Sequence, residues 1–127
     1  MDSIENQISY DVRGAIFKVY NNLGPGLFES VYETALSYEI EKLGYSIERQ
    51  VALPFMYEKI KFEQGFRIDI LIEDKVIIEL KSVETLANVH YKQVLTYLKL
   101  SNKKLGILVN FNSESISDSI KRVVNKL

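Results

Sequence analysis

Asp69, Glu79 and Lys81 are set in two short apolar runs, Gly65 to Ile72 and Val76 to Lys81, which fold back across the charged turn Glu73-Asp74-Lys75. Two acids and one base sharing a partly buried patch cost several kcal/mol to desolvate unless something compensates. A divalent cation held by the carboxylates compensates. On a face open to water the same three residues would be cross-strand charge decoration, contributing ~0.2–1 kcal/mol. Whether a helix covers them therefore separates the two readings.

Spacing brings the three together. Phe66, Ile68, Ile70 and Ile72 are apolar at even positions, and Arg67, Asp69 and Glu73 occupy odd ones, which is the alternation of a strand. Val76, Ile78 and Leu80 repeat the pattern, with Ile77, Glu79 and Lys81 pointing the other way. Opposed residues of antiparallel neighbours share a face, so the apolar sets coincide only if even pairs with even. A three-residue loop, Glu73 to Lys75, achieves this with Ile72 opposite Val76, Ile70 opposite Ile78, Ile68 opposite Leu80 and Asp69 opposite Glu79. A two-residue turn would send the charges to opposite faces. The loop lacks a glycine, which leaves room for a bulge.

The elements that must position this hairpin follow from the rest of the chain. Asp2 and Glu5 resemble a capping box, and Ile4, Ile8, Val12, Ala15, Ile16, Val19 and Leu23 recur at helical spacing to about Asn22. Gly24-Pro25-Gly26 breaks the helix. It reads as a helix–helix turn rather than a phosphate cradle. A second helix follows on Leu27, Phe28, Val31, Tyr32, Ala35, Leu36, Ile40 and Leu43, closed by Lys42 and Gly44. Tyr45, Ile47, Val51, Leu53, Phe55 and Tyr57 then alternate as a strand. Pro54 puts that strand at an edge or breaks it, and Glu58 to Gln64 reads as a charged connection.

After the hairpin, Ser82 or Thr85 is a candidate cap for a third helix carrying Leu86, Val89, Tyr91, Val94, Leu95, Leu98 and Leu100. Apolar on several sides, it should be packed on several sides. Leu105-Gly106-Ile107-Leu108-Val109 is a strand covered on both faces. Ser113 to Leu127, with Ile116, Ile120, Val123, Val124 and Leu127, reads as a final helix. The order α-α-β-β-β-α-β-α predicts an α/β fold with a four-stranded mixed sheet, its last strand parallel to the third and both faces flanked by helices.

Composition narrows the chemistry. With 127 residues the chain is expected to form one domain with a substantial core. A formal charge of −1 gives no global basic field, so nucleic-acid binding would rest on a local patch or a metal. Lys99, Lys103, Lys104, Lys121, Arg122 and Lys126 would serve a phosphate backbone only if the fold gathered them; unclustered, they are solvated lysines and arginine. There is no cysteine and one histidine, so a metal must be held by oxygen. His90 reads as a polar packing residue. No long apolar run or leader pattern is seen, and a cytoplasmic protein without a membrane span is the expectation.

Asp69 followed ten residues later by Glu79-Leu80-Lys81 resembles the PD-(D/E)XK nuclease superfamily. Gly26-Leu27-Phe28-Glu29-Ser30-Val31-Tyr32 is similar to the signature of its small-domain GxxExxY family. With Tyr57, Arg67-Ile68-Asp69, Ile78 to Lys81, His90 to Tyr97 and Ile107 to Phe111, the resemblance spans nearly the whole chain. Ile68 stands where the superfamily name has Pro, and the glycine expected soon after Tyr57 is absent.

The resemblance implies a restriction-endonuclease-like fold over residues 1–127 and a nuclease dependent on Mg²⁺ or Mn²⁺. Asp69, Glu79 and the backbone carbonyl of Leu80 would ligate the ion, and Glu29 would reach it through water. Lys81 would position or help deprotonate the attacking water, and Gln93 and Tyr97 would stand beside the site, one helical turn apart. Hard oxygen ligands suit Mg²⁺. The chemistry demands such an ion: the slowest phosphate hydrolyses need upward of ~20 kcal/mol, beyond the ~10²–10⁴-fold of one general base. Read singly, Glu29 is an acid in a helix's first turn, worth ~0.3–1 kcal/mol against the dipole. Gln93 and Tyr97 would serve equally as hydrogen-bonding residues of a packed helix.

Three functions follow. The first is a metal-dependent phosphodiesterase acting on DNA or RNA. The second is a nuclease-like fold serving as a binding or assembly module with a slow or vestigial site. The third is a carboxylate–metal hydrolase of small phosphate esters. The small size and lack of a basic field call for a homodimer or protein partner in recognition.

Overall fold

The computed structural model describes residues 3–127. Helix α1 (Ile4–Leu23) starts at Ser3, whose hydroxyl accepts the Asn6 N–H at 3.1 Å. Asp2, half of the expected capping box, lies outside the described residues. The helix buries one stripe, Ile8, Val12, Ala15, Ile16 and Val19, and ends at Gly24. Helix α2 (Glu29–Lys42) buries Tyr32, Leu36 and Ile40, while Phe28, Val31 and Leu43 of the expected apolar set are exposed.

Five strands form the sheet among the described residues: β1 (Ile47–Tyr57), β2 (Ile60–Ile72), β3 (Val76–Lys81), β4 (Leu105–Asn110) and β5 (Ile120–Val124), adjacent in that order. The sheet is mixed, as expected: β3 and β4 run parallel, linked through helix α3 (Asn88–Ser101), and the other pairs are antiparallel. The fifth strand corrects the four-strand expectation. Residues 113–127, expected to be helical, instead make one 3₁₀ turn (Ile116–Ser119) and β5. The β-branched Ile120, Val123 and Val124 suit a pleated surface, and pairing them with Val109 to Leu105 covers backbone groups that would otherwise leave β4 as an edge.

The charged connection expected at Glu58 to Gln64 is also corrected. Ile60 and Phe62 pair with Tyr57 and Phe55, so β2 begins at Ile60 and only Glu58 and Lys59 turn, both left-handed (φ 51° and 66°). Two left-handed central residues give the twist a hairpin needs, here without Gly or Asn. Pro54 lies in the edge strand β1, and the register shifts there, between Leu53 and Phe55.

The β2–β3 turn follows the expected register: Ile72 opposes Val76, Leu71 opposes Ile77 and Ile70 opposes Ile78. Beyond Ile70 the regular ladder stops. Ile68, expected on the face of Ile70, packs with Leu53 and Leu71 on the opposite side. The break falls at Asp69, whose carboxylate takes the Leu80 N–H at 2.9 Å; across from it Gln50 is left-handed at φ 52°.

Helices α1 and α2 cover one face of the sheet over Ile70, Ile72, Ile78, Leu80, Ile107 and Val109, and α3 covers the other over Leu71, Ile77 and Leu108. Strands β3 and β4 are buried on both faces, the environment for which continuous apolar runs are suited. Gly106 lets α3 approach: a Cβ there would sit 2.6 Å from Val94. Neither Ser82 nor Thr85 caps α3. Ala87 stands at the N-cap, and the His90 Nδ1 accepts its N–H at 3.0 Å.

Candidate active site

The hairpin places Asp69, half-buried, and Glu79, buried, on adjacent strands, where both act on the α3 residue Tyr97. Glu79 is 4% exposed, and its Oε1 has no hydrogen-bond partner. Oε2 lies 3.6 Å from the Lys81 Nζ. Burial pushes the Glu79 carboxyl up to about 9, and Asp69 beside it pushes the same way, against the pull of Lys81. A carboxyl raised that far keeps its proton at neutral pH in the metal-free protein; a cation between the acids would take the proton's place and give Oε1 a partner.

Asp69 is held from two sides. One oxygen accepts the Leu80 N–H, and the other lies 3.4 Å from Gln50 Nε2. Gln50 also donates to Glu33, a buried acid of α2 that pairs with Arg49 at 2.9 Å. The main chain of Leu80 thus lies against one carboxylate and directly follows the other.

Tyr97 is buried on α3, and its hydroxyl is pushed up to about 12 by burial and by the charges of Glu79 and Asp69, with the Arg67 amide opposing. The α3 residues Gln93 and Tyr97 line one cavity of about 530 Å³ with Lys81. The structure therefore brings together Asp69, Glu79, Lys81, Gln93 and Tyr97.

Glu29 arrives by a different route. Tyr32 stacks on Phe111 with ring centroids 4.4 Å apart, and its hydroxyl ties the preceding loop by donating to Gly24 O at 2.6 Å and accepting Leu27 N–H at 3.1 Å. Gly26 in that loop has φ 95°, which favours glycine. Glu29 then accepts the Ser82 N–H at 3.3 Å, and Ser82 Oγ donates to Leu27 O at 2.6 Å. The helix N-terminus is thus pinned to the residue after Lys81. Glu29 does not join the other acids: among the described residues no three His, Cys, Asp or Glu side chains form a group that could hold a metal.

Three positioning groups went unread in the sequence. Gln50 and Glu33 steady Asp69. Asn110, 3% exposed, accepts Val83 N–H at 3.0 Å and donates to Val83 O at 2.9 Å, fixing the segment after Lys81. Each acts across many residues, and only the run Ile107 to Phe111 hinted at Asn110.

The donor set fits a hard divalent cation. An unpartnered buried carboxylate oxygen beside a second carboxylate is what such an ion neutralises, and oxygen donors suit Mg²⁺ or Mn²⁺. Of the basic residues considered for a phosphate backbone, Lys103 and Arg122 are engaged elsewhere. Lys103 pairs with Asp74 at the β2–β3 turn, the end of the sheet away from Lys81, and Arg122 donates to Asn6. No described helix is long and apolar enough to cross a membrane.

A family model described as the PD-(D/E)XK nuclease superfamily matches residues 6–123. No curated protein and no solved structure matches the chain.

Proposed function

The chain belongs to the PD-(D/E)XK nuclease superfamily, and from that premise we propose that it is a metal-dependent nuclease of the GxxExxY type, acting as one domain. The observation that carries the reading is the partnerless Oε1 of Glu79, buried beside Asp69 with Lys81 on its other oxygen. Asp69, Glu79 and the Leu80 carbonyl would hold Mg²⁺ or Mn²⁺, with Glu29 reaching it through water. Bound there, the ion supplies charge neutralisation of the phosphoryl oxygens and a lowered pKa for water.

The chain's own residues do the rest. Lys81 Nζ, fixed between Glu79 and the cavity, donates to the attacking water or a phosphoryl oxygen and offsets charge as it develops there. Gln50 and the Leu80 N–H keep Asp69 from turning away. Tyr97 stays protonated and remains a hydrogen-bond donor throughout the neutral range. Helix α3 shuts water from the acids on one side, so their interaction with a cation is stronger than at an open surface.

One observation favours the module reading: Glu29 stands apart from Asp69 and Glu79. Calorimetric titration of Mg²⁺ and Mn²⁺ into wild type, Asp69→Asn and Glu79→Gln, followed by incubation with labelled DNA and RNA, decides between them. Metal uptake lost in both variants, with cleavage by wild type alone, is expected. Binding of nucleic acid without metal uptake or cleavage would leave the module.

A further inference from the structure

Beside Lys81, on the α3 side of the sheet, the cavity of about 530 Å³ has an aromatic floor and a polar, cationic rim. Phe66 and Tyr97 form the floor, their ring centroids 5.4 Å apart. Phe66 is braced from behind by Phe55 at 5.4 Å, and Phe55 by Phe62 at 5.1 Å. Gly65 makes that row possible, since a Cβ there would fall 2.1 Å from the Phe55 ring. The floor ring is therefore held in one orientation by its neighbours. Lys81, Lys92 and His90 stand around it, with Val89 exposed at the mouth. His90 Nδ1 accepts the Ala87 N–H, so the neutral ring carries its proton on Nε2 and can donate there.

We infer that this cavity takes an unpaired base of a nucleic-acid strand, stacked on Phe66, while the adjoining phosphate meets Lys81. Resting on the nuclease reading, this makes the substrate class single-stranded nucleic acid or an unpaired end. The volume falls in the ~300–1,000 Å³ range of small-ligand clefts. A ring floor with a cationic rim is how proteins hold single strands without reading sequence, because every base has a π-face. A base paired and stacked inside a duplex has neither face free to lie on the Phe66 ring, whereas an unpaired base does. Charge points the same way: with a formal charge of −1 the chain has no global basic field, which leaves binding to local contacts such as stacking and the lysines beside it.

The test uses the full chain, in EDTA and again in Ca²⁺, with DNA and RNA oligonucleotides carrying one 2-aminopurine, as single strands and as blunt duplexes. Wild type is expected to quench the single-strand fluorescence and bind single strands at least about tenfold more tightly than duplexes, the scale of one stacked base. Phe66→Leu, which keeps an apolar side chain, and Val89→Trp, which fills the mouth, should each remove that preference and the quench while melting cooperatively. Whichever sugar is preferred identifies the strand. Equal affinity for both forms, or an unchanged quench in folded Phe66→Leu, overturns the pocket. Cleavage in Mg²⁺ without preference or quench overturns it and leaves the nuclease standing. Preference and quench without cleavage in any cation keep the pocket and remove the enzyme. Failure to bind any strand, with no cleavage in Mg²⁺, removes both.

Discussion

At the scale of single residues, Glu79 is held against its own stability. Its folded carboxyl titrates near 9 against an ordinary 4.5, so the metal-free protein binds the extra proton between those values. Stability from this group is complete below about pH 4.5 and is lost as the pH rises through 9. In EDTA, thermal melts should therefore fall in midpoint from pH 5 to pH 9. Glu79→Gln should flatten that fall and raise stability at pH 8 by about 1–3 kcal/mol, the penalty of a buried unpaired polar group. Saturating Mg²⁺ should restore the wild type alone. An unchanged melting profile in the variant would show that the acid is solvated. The nearness of Asp69 to Glu79 was legible because one turn length sets the Ile70–Ile78 register, but not its opposition to Glu79: the ladder breaks at Asp69, and its carboxylate turns to the Leu80 N–H instead. Gln50, Glu33 and Asn110 were not legible, because their bonds cross 17, 19 and 27 positions and leave no local pattern.

At the scale of elements, the β2–β3 register was legible for the same reason, whereas the C-terminal segment was not. Ile116, Ile120, Val123 and Val124 fit a helical stripe as well as they fit a strand, and what decides between them is the open side of β4, a distant partner. The β1–β2 turn was missed because Glu58 and Lys59 lack the glycine that advertises such a turn. Element packing also controls the site. Val94 and Tyr97 share helix α3, so Gly106→Ala would push that helix off the sheet where it carries Tyr97 and Gln93. The expected cost is about 1–3 kcal/mol of overpacking, read by urea denaturation. Cleavage should fall more than this loss of stability accounts for. A variant as stable and active as wild type would mean that α3 has slack.

Across the whole molecule, the balance of charge sets how binding responds to salt. Lys81 and Lys92 are the lysines lining the stacking cavity, and contact with two phosphates of a single strand gives a log K against log salt slope of about −1.4. Fluorescence titrations from about 50 to about 500 mM KCl, one decade of salt, would measure it. A steep slope, on the order of −5 or beyond, would mean that a much wider cationic track is in use.

The pinning of Glu29 to Ser82 has a consequence for the order in which the protein folds. Asp69 and the Leu80 amide meet across 11 positions, whereas Glu29 and Ser82 meet across 53. Loop-closure entropy predicts the short contact early and the long one late, with the two acids meeting before the α2 terminus docks. Ser82→Ala removes the hydroxyl bond to Leu27 O. It should leave the refolding limb of a chevron unmoved and speed unfolding by about fivefold, for a bond of ~1 kcal/mol. That outcome would make the tie at the Lys81 end of the sheet a brake on opening, set after the hairpin has brought the acids together.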